Sequence, residues 1–240
     1  MSKGNIVILT GAGISAESGL QTFRAADGLW CGHKVEEVAT PEGFARNPAL
    51  VQEFYNLRRA QLKEVQPNAA HDALAKLASE WEGTVTLVTQ NVDDLHQRAA
   101  SRVNHDRYRF YNMHGELKRI RCGYTERIFE WSEDITPQTP CECCRKTGTL
   151  RPHIVWFGEM PFFMDEIYAA LDRCDLFISI GTSGNVYPAA GFIQYLGMKG
   201  QAHTVELNLE PSQGSHYFDE NHFGPATKVV PEYVMRLLRT

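Results

Sequence analysis

The chain opens on a short run of consecutive apolar residues, Ile6-Val7-Ile8-Leu9, and comparable runs return further along. Residues 5–10, 84–89, 175–181 and 202–208 read as strands that lack polar alternation. Between them, apolar positions recur at helical spacing over residues 68–81, 163–174 and 187–200. The last of these carries Pro188 where a first helical turn tolerates it. Strands apolar on both faces and separated by helices predict a parallel sheet covered on both sides, a doubly wound, Rossmann-like α/β fold.

Two stretches break the alternation. Residues 31–65 hold only helical patterns, including an amphipathic run over 48–65. Residues 116–151 are polar, rich in Pro, Gly and Cys, and without helical period. Both read as insertions that build a smaller lobe, one part helical and one Cys-rich. The large domain then comprises roughly residues 1–30, 66–115 and 152–240, within a single unit spanning 1–240. There is no internal repeat and no low-complexity tract.

At 240 residues the chain can bury one full core with a smaller module inserted. A net charge of -5 argues against a general affinity for nucleic acid, although a local basic cleft is compatible with it. No apolar stretch is long enough for a signal sequence or a membrane span, so a cytoplasmic protein is expected. The cysteines are Cys31, Cys122, Cys141, Cys143, Cys144 and Cys174. In a reducing compartment their clustering points to a metal or to simple thiols rather than disulfides.

The first strand runs into Gly11-x-Gly13-x-x-Ala16, a turn through which backbone can approach a pyrophosphate. A tight turn whose glycines serve only φ accounts for that short motif as well. A hydride-transferring dinucleotide enzyme should continue into a second strand ending in an acidic residue about twenty residues on. Here the stretch is a loop with Phe23, Arg24 and Trp30, and its Asp27 lies between Ala and Gly. That loop suits a lid over a cofactor that itself reacts. After the second strand, Gln90, Asn91 and Asp93 sit at a carboxyl end, where open sheets bind ligands. Asp93 is also a natural helix N-cap before Leu95. His114, before a glycine and the Cys-rich insertion, is a candidate base or a satisfied structural histidine.

Taken together, "GAGISAESG", "TFRAADGLW", "TQNVDDLH", "MHGEL", "LRPHIVWFGEMP" and "GTSGNVYPA" resemble the sirtuin family of NAD-dependent protein deacylases, in order over essentially the whole chain. "FYNLRR" resembles the bacterial CobB-type, class III branch. The resemblance implies that NAD is consumed as a co-substrate. The acyl-lysine carbonyl oxygen attacks the nicotinamide ribose carbon, nicotinamide departs, and a histidine acts as general base on a ribose hydroxyl. The acyl group ends on ADP-ribose. His114 takes the base position, and Asn91 and Asp93 take positions that hold the nicotinamide ribose and carboxamide. Gly11, Ala12, Gly13, Phe23, Arg24, Trp30, Gln90, Gly181, Thr182, Ser183, Asn208, Leu209, Glu210 and Ala226 take the remaining NAD positions. The substrate peptide is expected to add a strand along 154–159, touching Val155, Phe157, Gly158 and Glu159, whose plainer reading is a buried strand ending in a turn.

Class III resemblance also implies that Tyr55 and Arg58 meet the carboxylate of an acidic acyl group such as succinyl, with Ala39 leaving room for it. By helix logic alone, the pair is an amphipathic tyrosine beside a solvated arginine. Sirtuins usually carry two Cys-x-x-Cys pairs that bind a structural zinc. Cys141 and Cys144 form one such pair and Cys122 starts the other, but Thr125 holds its partner position. Cys143, or a residue outside the pattern such as His105 or His153, would complete a zinc site. Two other functions fit the same pocket: a NAD glycohydrolase with water as acceptor, and a non-enzymatic ADP-ribose-binding module. The expected partners are acyl-lysine proteins or peptides, with no nucleic acid or membrane.

Overall fold

The computed structural model describes residues 4–21, 29–103 and 108–239. In chain order they form β1 (Ile6–Thr10), α1 (Gly13–Ala16), β2 (Leu29–Trp30), β3 (His33–Lys34), α2 (Val35–Val38), α3 (Pro41–Arg46), α4 (Pro48–Gln61) and α5 (Ala69–Glu80). There follow β4 (Val85–Thr89), α6 (Leu95–Ala100), β5 (Tyr108–Asn112), β6 (Gly115–Cys122), β7 (Ile128–Glu130) and β8 (Leu150–Ile154). The chain closes with α7 (Met164–Leu171), β9 (Leu176–Ile180), α8 (Phe192–Lys199), β10 (His203–Asn208), β11 (Glu220–Phe223) and α9 (Ala226–Arg239).

The main sheet has the order β11-β10-β9-β1-β4-β5, and each of its pairings is parallel. Its central strand explains the unbroken apolar run. Ile6 and Ile8 pack with Leu74 and Leu77 of α5 and Val230, Tyr233 and Val234 of α9. Val7 and Leu9 face the other way, onto Ile167 and Leu171 of α7 and Phe192 and Leu196 of α8. Successive side chains on opposite faces both meet core, so neither can be polar. From β1 the chain passes outward through β4 and β5, then returns to β9 on the other side of β1. The strand order therefore reverses between β1 and β9, and the crevice at their carboxyl ends is where such sheets take ligands.

A second, antiparallel sheet, β7-β6-β8, lies in the Cys-rich region and extends to Ile154. Helices α3 and α4 begin on caps: Thr40 Oγ1 accepts from Gly43 N at 2.9 Å, and Asn47 Oδ1 from Leu50 N at 3.1 Å. Each has Pro at the start, where no N–H is needed. Caps of this kind contribute about 1 kcal/mol each. The inner face of α4 packs Val51, Phe54 and Tyr55 against Val38, Leu117, Ile154 and Trp156.

The four expected strands lie within a residue of their predicted bounds. The helix expected over 187–200 is shorter: the Tyr187–Pro188 peptide is cis, Ala189–Gly191 is a 3-10 turn, and the α-helix begins at Phe192. No helix among the described residues is long and apolar enough to cross a membrane.

Candidate active site

At the switch point, the turn after β1 and the turn after β9 cross in contact. Gly11 N donates to Ile180 O at 3.0 Å and Gly13 N to Gly181 O at 2.8 Å. A Cβ on Gly13 would lie 2.7 Å from Gly181 Cα, and one on Gly181, whose φ is +61°, would lie 2.5 Å from Ile14 N. The glycines are thus required by backbone meeting backbone, which brings both loops to one crevice. On its far side Gln90 Nε2 donates to Thr182 Oγ1 (3.2 Å) and Asn208 Nδ2 to Thr182 O (2.9 Å). Ser183, Leu209 and Glu210 are exposed nearby in sequence, and Ala226 starts α9 half-buried. Trp30 packs edge-on to Phe54 and Tyr55 of α4. Phe23, Arg24, Asp27 and His105 lie outside the described residues.

Beneath the crevice runs a buried polar network. Ser15 Oγ donates to Asp93 Oδ2 at 2.9 Å and accepts from Asn91 Nδ2 at 3.1 Å. His71 Nδ1 accepts from Asn68 N, so its proton sits on Nε2, 3.4 Å from the same Ser15 oxygen. Asp93 Oδ1 accepts from Leu95 N at 3.1 Å in a turn just ahead of α6, whose N-cap position is held by Asp94 and not by Asp93 as the sequence suggested. Burial pushes the Asp93 carboxyl up to about 6, against the Leu95 N–H and the Ser15 hydroxyl. Ser15 and His71 were not singled out in the sequence. Ser15 lies inside the glycine motif and could have been; His71 looked like one polar position on an amphipathic helix.

His114 follows β5, and its Nδ1 lies 3.0 Å from Gln90 O. A carbonyl only accepts, so Nδ1 carries the proton and Nε2 keeps its lone pair. Burial lowers the imidazole pKa, with Gln90 O pulling the other way, so the ring is neutral near pH 7. His114 O accepts from Val155 N at 2.9 Å, which joins the histidine to the expected docking segment.

That segment leaves β8 at Ile154 and turns. Phe157 N donates to Ala39 O (2.9 Å), Glu159 N to Trp156 O (2.9 Å), and Trp156 N to Glu159 Oε2 (2.9 Å). The Gly158 N–H is left over among the described residues, beside exposed Phe157. The Glu159 carboxylate is occupied: Arg151 grips it at 2.7 and 3.0 Å, and Arg121 at 3.0 Å. Burial would raise its pKa, but the Arg151 and Trp156 bonds outweigh that and hold it low. Its side chain therefore pins the turn.

Ala39, Tyr55 and Trp156 are buried in one cluster. The Tyr55 hydroxyl accepts from Trp156 Nε1 at 3.0 Å, and no acceptor for its own proton lies among the described residues. Burial drives its pKa upward, so it is a neutral donor. Arg58 lies over the Phe54 ring at 5.2 Å and its guanidinium also meets the Cys31 thiol, but its buried Nε has no partner among the described residues.

In the Cys-rich region, the Sγ atoms of Cys122, Cys141, Cys143 and Cys144 all lie within 4.8 Å of one another. Cys122 and Cys144 are 3.8 Å apart and Cys141 and Cys143 3.2 Å. Four thiolates at zinc bond lengths of about 2.3 Å stand about 3.8 Å apart, so the donor set fits a tetrahedral zinc. Cys143 is the fourth member, and Thr125 Oγ1 stands 2.9 Å from its sulfur. His153 lies elsewhere, its ring stacked on Phe162 at 4.7 Å.

The model of the Sir2 family matches residues 11–188. An NAD-dependent protein deacylase of Salmonella typhimurium is 58% identical over all of this chain and 86% of its own length. That of Escherichia coli K12 is 57% identical over all of this chain and 84% of its own. A Sir2 homologue solved with NAD superposes with a TM-score of 0.84 at 36% identity, covering 98% of this chain and 89% of that one. A Sir2 protein bound to acetylated peptide gives a TM-score of 0.76 at 26% identity, covering 98% and 92%.

Proposed function

This chain belongs to the Sir2 family and is an NAD-dependent protein deacylase, and we propose that it removes succinyl as well as acetyl groups from lysine side chains. One observation carries the acidic specificity. Helix α4 carries two donors three residues apart that find no acceptor among the described residues, the Tyr55 hydroxyl proton and Arg58 Nε. Buried donors left unpaired cost about 1–3 kcal/mol each, and a carboxylate would satisfy both. An acetyl group has no such acceptor at its far end.

In this reading NAD lies across the β1/β9 crevice, its pyrophosphate against the Gly11–Gly13 turn, its adenosine end toward Thr182, Ser183 and Asn208. Asn91 and Asp93, fixed through Ser15, hold the nicotinamide ribose and carboxamide. The acyl-lysine carbonyl oxygen displaces nicotinamide from the ribose, and His114 Nε2 takes the proton of a ribose hydroxyl. The Gln90 carbonyl keeps the imidazole in the tautomer that can do so. The NAD and acetylated-peptide complexes of relatives support this pairing of co-substrates. Zinc held by the four cysteines would stiffen the small lobe; thiolates filling every position leave no site for a reactive water.

The test is nicotinamide release by the purified protein with unmodified, acetylated and succinylated forms of one peptide. Release is expected with both acyl peptides and not with the unmodified one. Equal release without an acyl group would leave a NAD glycohydrolase; release with acetyl alone would remove the acidic specificity.

A further inference from the structure

Trp156 stands in the middle of the docking turn but faces inward, 2% exposed. Its indole is held on several sides. The Arg151 guanidinium lies 3.4 Å over the ring, and Arg151 is itself locked as a fork on Glu159. Phe44 packs against it at 5.2 Å. Its backbone N–H is held by Glu159 Oε2, and its Nε1–H reaches the Tyr55 hydroxyl at 3.0 Å. Tyr55 is 0% exposed, so this is a bond without competition from water.

A hydroxyl can donate one proton and accept at its lone pairs. With a lone pair taken by an indole that can only donate, the Tyr55 proton must point elsewhere, which leaves Tyr55 as a donor to a further group. We propose that Trp156 is a positioning residue for acyl selection: it fixes Tyr55 in the donor orientation that reads an acyl carboxylate, and it couples that reading to the turn on which the peptide docks. The inference rests on the assignment of Tyr55 and Arg58 to the acidic acyl group.

The coupling has a physical route. Glu159, Arg151 and the Trp156 ring form one stack of charge-assisted bonds and ring contact, and Tyr55 is hung from its end. A charge-assisted fork of this kind is rigid as well as strong. A shift of the turn would strain the bond that orients the hydroxyl.

Three variants test it: Trp156→Phe, Tyr55→Phe and the double change. Each is assayed for kcat and KM on acetylated and succinylated forms of one peptide. Trp156→Phe is expected to lower succinyl kcat/KM about five- to tenfold, the worth of one buried neutral hydrogen bond, with the loss in KM. Acetyl kcat/KM should fall by a smaller factor, so that the succinyl-to-acetyl ratio drops. In the Tyr55→Phe background, Trp156→Phe should add less than about twofold to the succinyl loss, because the bond is already gone.

Equal falls on both peptides, or additive losses in the double variant, overturn the proposal and leave Trp156 as packing alone. Tyr55→Phe with an unchanged succinyl-to-acetyl ratio overturns the assignment of Tyr55 as well, and so marks the earlier reading as the failure. If Trp156→Phe does not fold, β-(3-benzothienyl)alanine at position 156 keeps the ring shape and deletes only the N–H, with the same outcomes expected.

Discussion

The backbone carbonyl of Gln90 accepts a hydrogen bond from Nδ1 of His114 at 3.0 Å. The bond decides the tautomer, and burial keeps the ring neutral. His114→Ala should therefore lose about 10²–10⁴-fold in deacylation, the usual worth of general-base help. NAD affinity, measured by calorimetry, should be largely kept. Wild-type turnover in the variant, prepared free of host enzyme, would refute the assignment.

The same burial predicts a pH profile. As the proposed base, His114 must be unprotonated, and its pKa is lowered from the ordinary 6.5. The midpoint of the acid limb of kcat/KM should accordingly lie below pH 6.5. A limb centred above 6.5 would mean that another group is titrating.

Stability has its own acid dependence. Burial holds His71 down to about 4, and His96 lies well below its ordinary value through burial and then the nearby His71. His153 is held down to about 4 by burial, then by Arg121, Arg119 and Arg151. Below pH 6.5 the unfolded chain takes up protons that these folded histidines refuse, so stability falls as pH drops from about 6.5 toward 4. Asp93 acts oppositely: raised to about 6, it protonates first in the folded state and gains stability over part of that range. Three histidines outweigh one carboxyl, so Tm at pH 5 should lie below that at pH 7.5. An equal or higher Tm at pH 5 would contradict the histidine burial.

How far such features can be read in advance depends on whether their cause is local. β1, β4, β9 and β10 were legible because strands covered on both faces carry runs such as Ile6-Val7-Ile8-Leu9. β6 was not. Its register shifts between Gly115 and Ile120, so Leu117 and Ile120 are both buried three apart, which breaks the two-residue period. α9 shows Val230, Tyr233 and Val234 on one face, but Pro231 inside it masks the helical signal. β11, Glu220-Asn221-His222-Phe223, is a polar edge strand without any apolar run. The site divides the same way. The nucleotide motifs are contiguous, whereas the bond between Tyr55 and Trp156 joins residues 101 apart in the chain. Cys143 was legible only as an alternative, since choosing it needed the distances to the other sulfurs.

The Cys cluster makes a compensated prediction. Cys143→Ser should lower zinc content below one per chain, by metal analysis, and reduce Tm, because one of four thiolates is removed. Thr125 Oγ1 lies 2.9 Å from the Cys143 sulfur, so a cysteine at 125 would deliver its thiolate to the same corner. Adding Thr125→Cys to Cys143→Ser should restore both zinc and Tm. Full zinc in Cys143→Ser alone would show that another group completes the site.

If the proposed acidic specificity holds, Arg58 should give the strongest separation of acyl groups. It has no ion-pair partner among the described residues, its Nε is buried without an acceptor, and it stands three residues from Tyr55 on α4, the spacing of one helix face. A planar fork can hold a carboxylate through two charge-assisted bonds, which lysine's point charge cannot copy. Removing one member of a buried charge pair costs about 2–5 kcal/mol. Arg58→Met keeps much of the stem's packing and deletes the charge, so succinyl-peptide kcat/KM should fall at least about thirtyfold by RT arithmetic. Acetyl-peptide kcat/KM should fall far less, having no carboxylate to lose, and the variant's own unpaired donor would be gone. Acetyl and succinyl activities that drop in parallel would instead make Arg58 a support for the Phe54 ring it lies over.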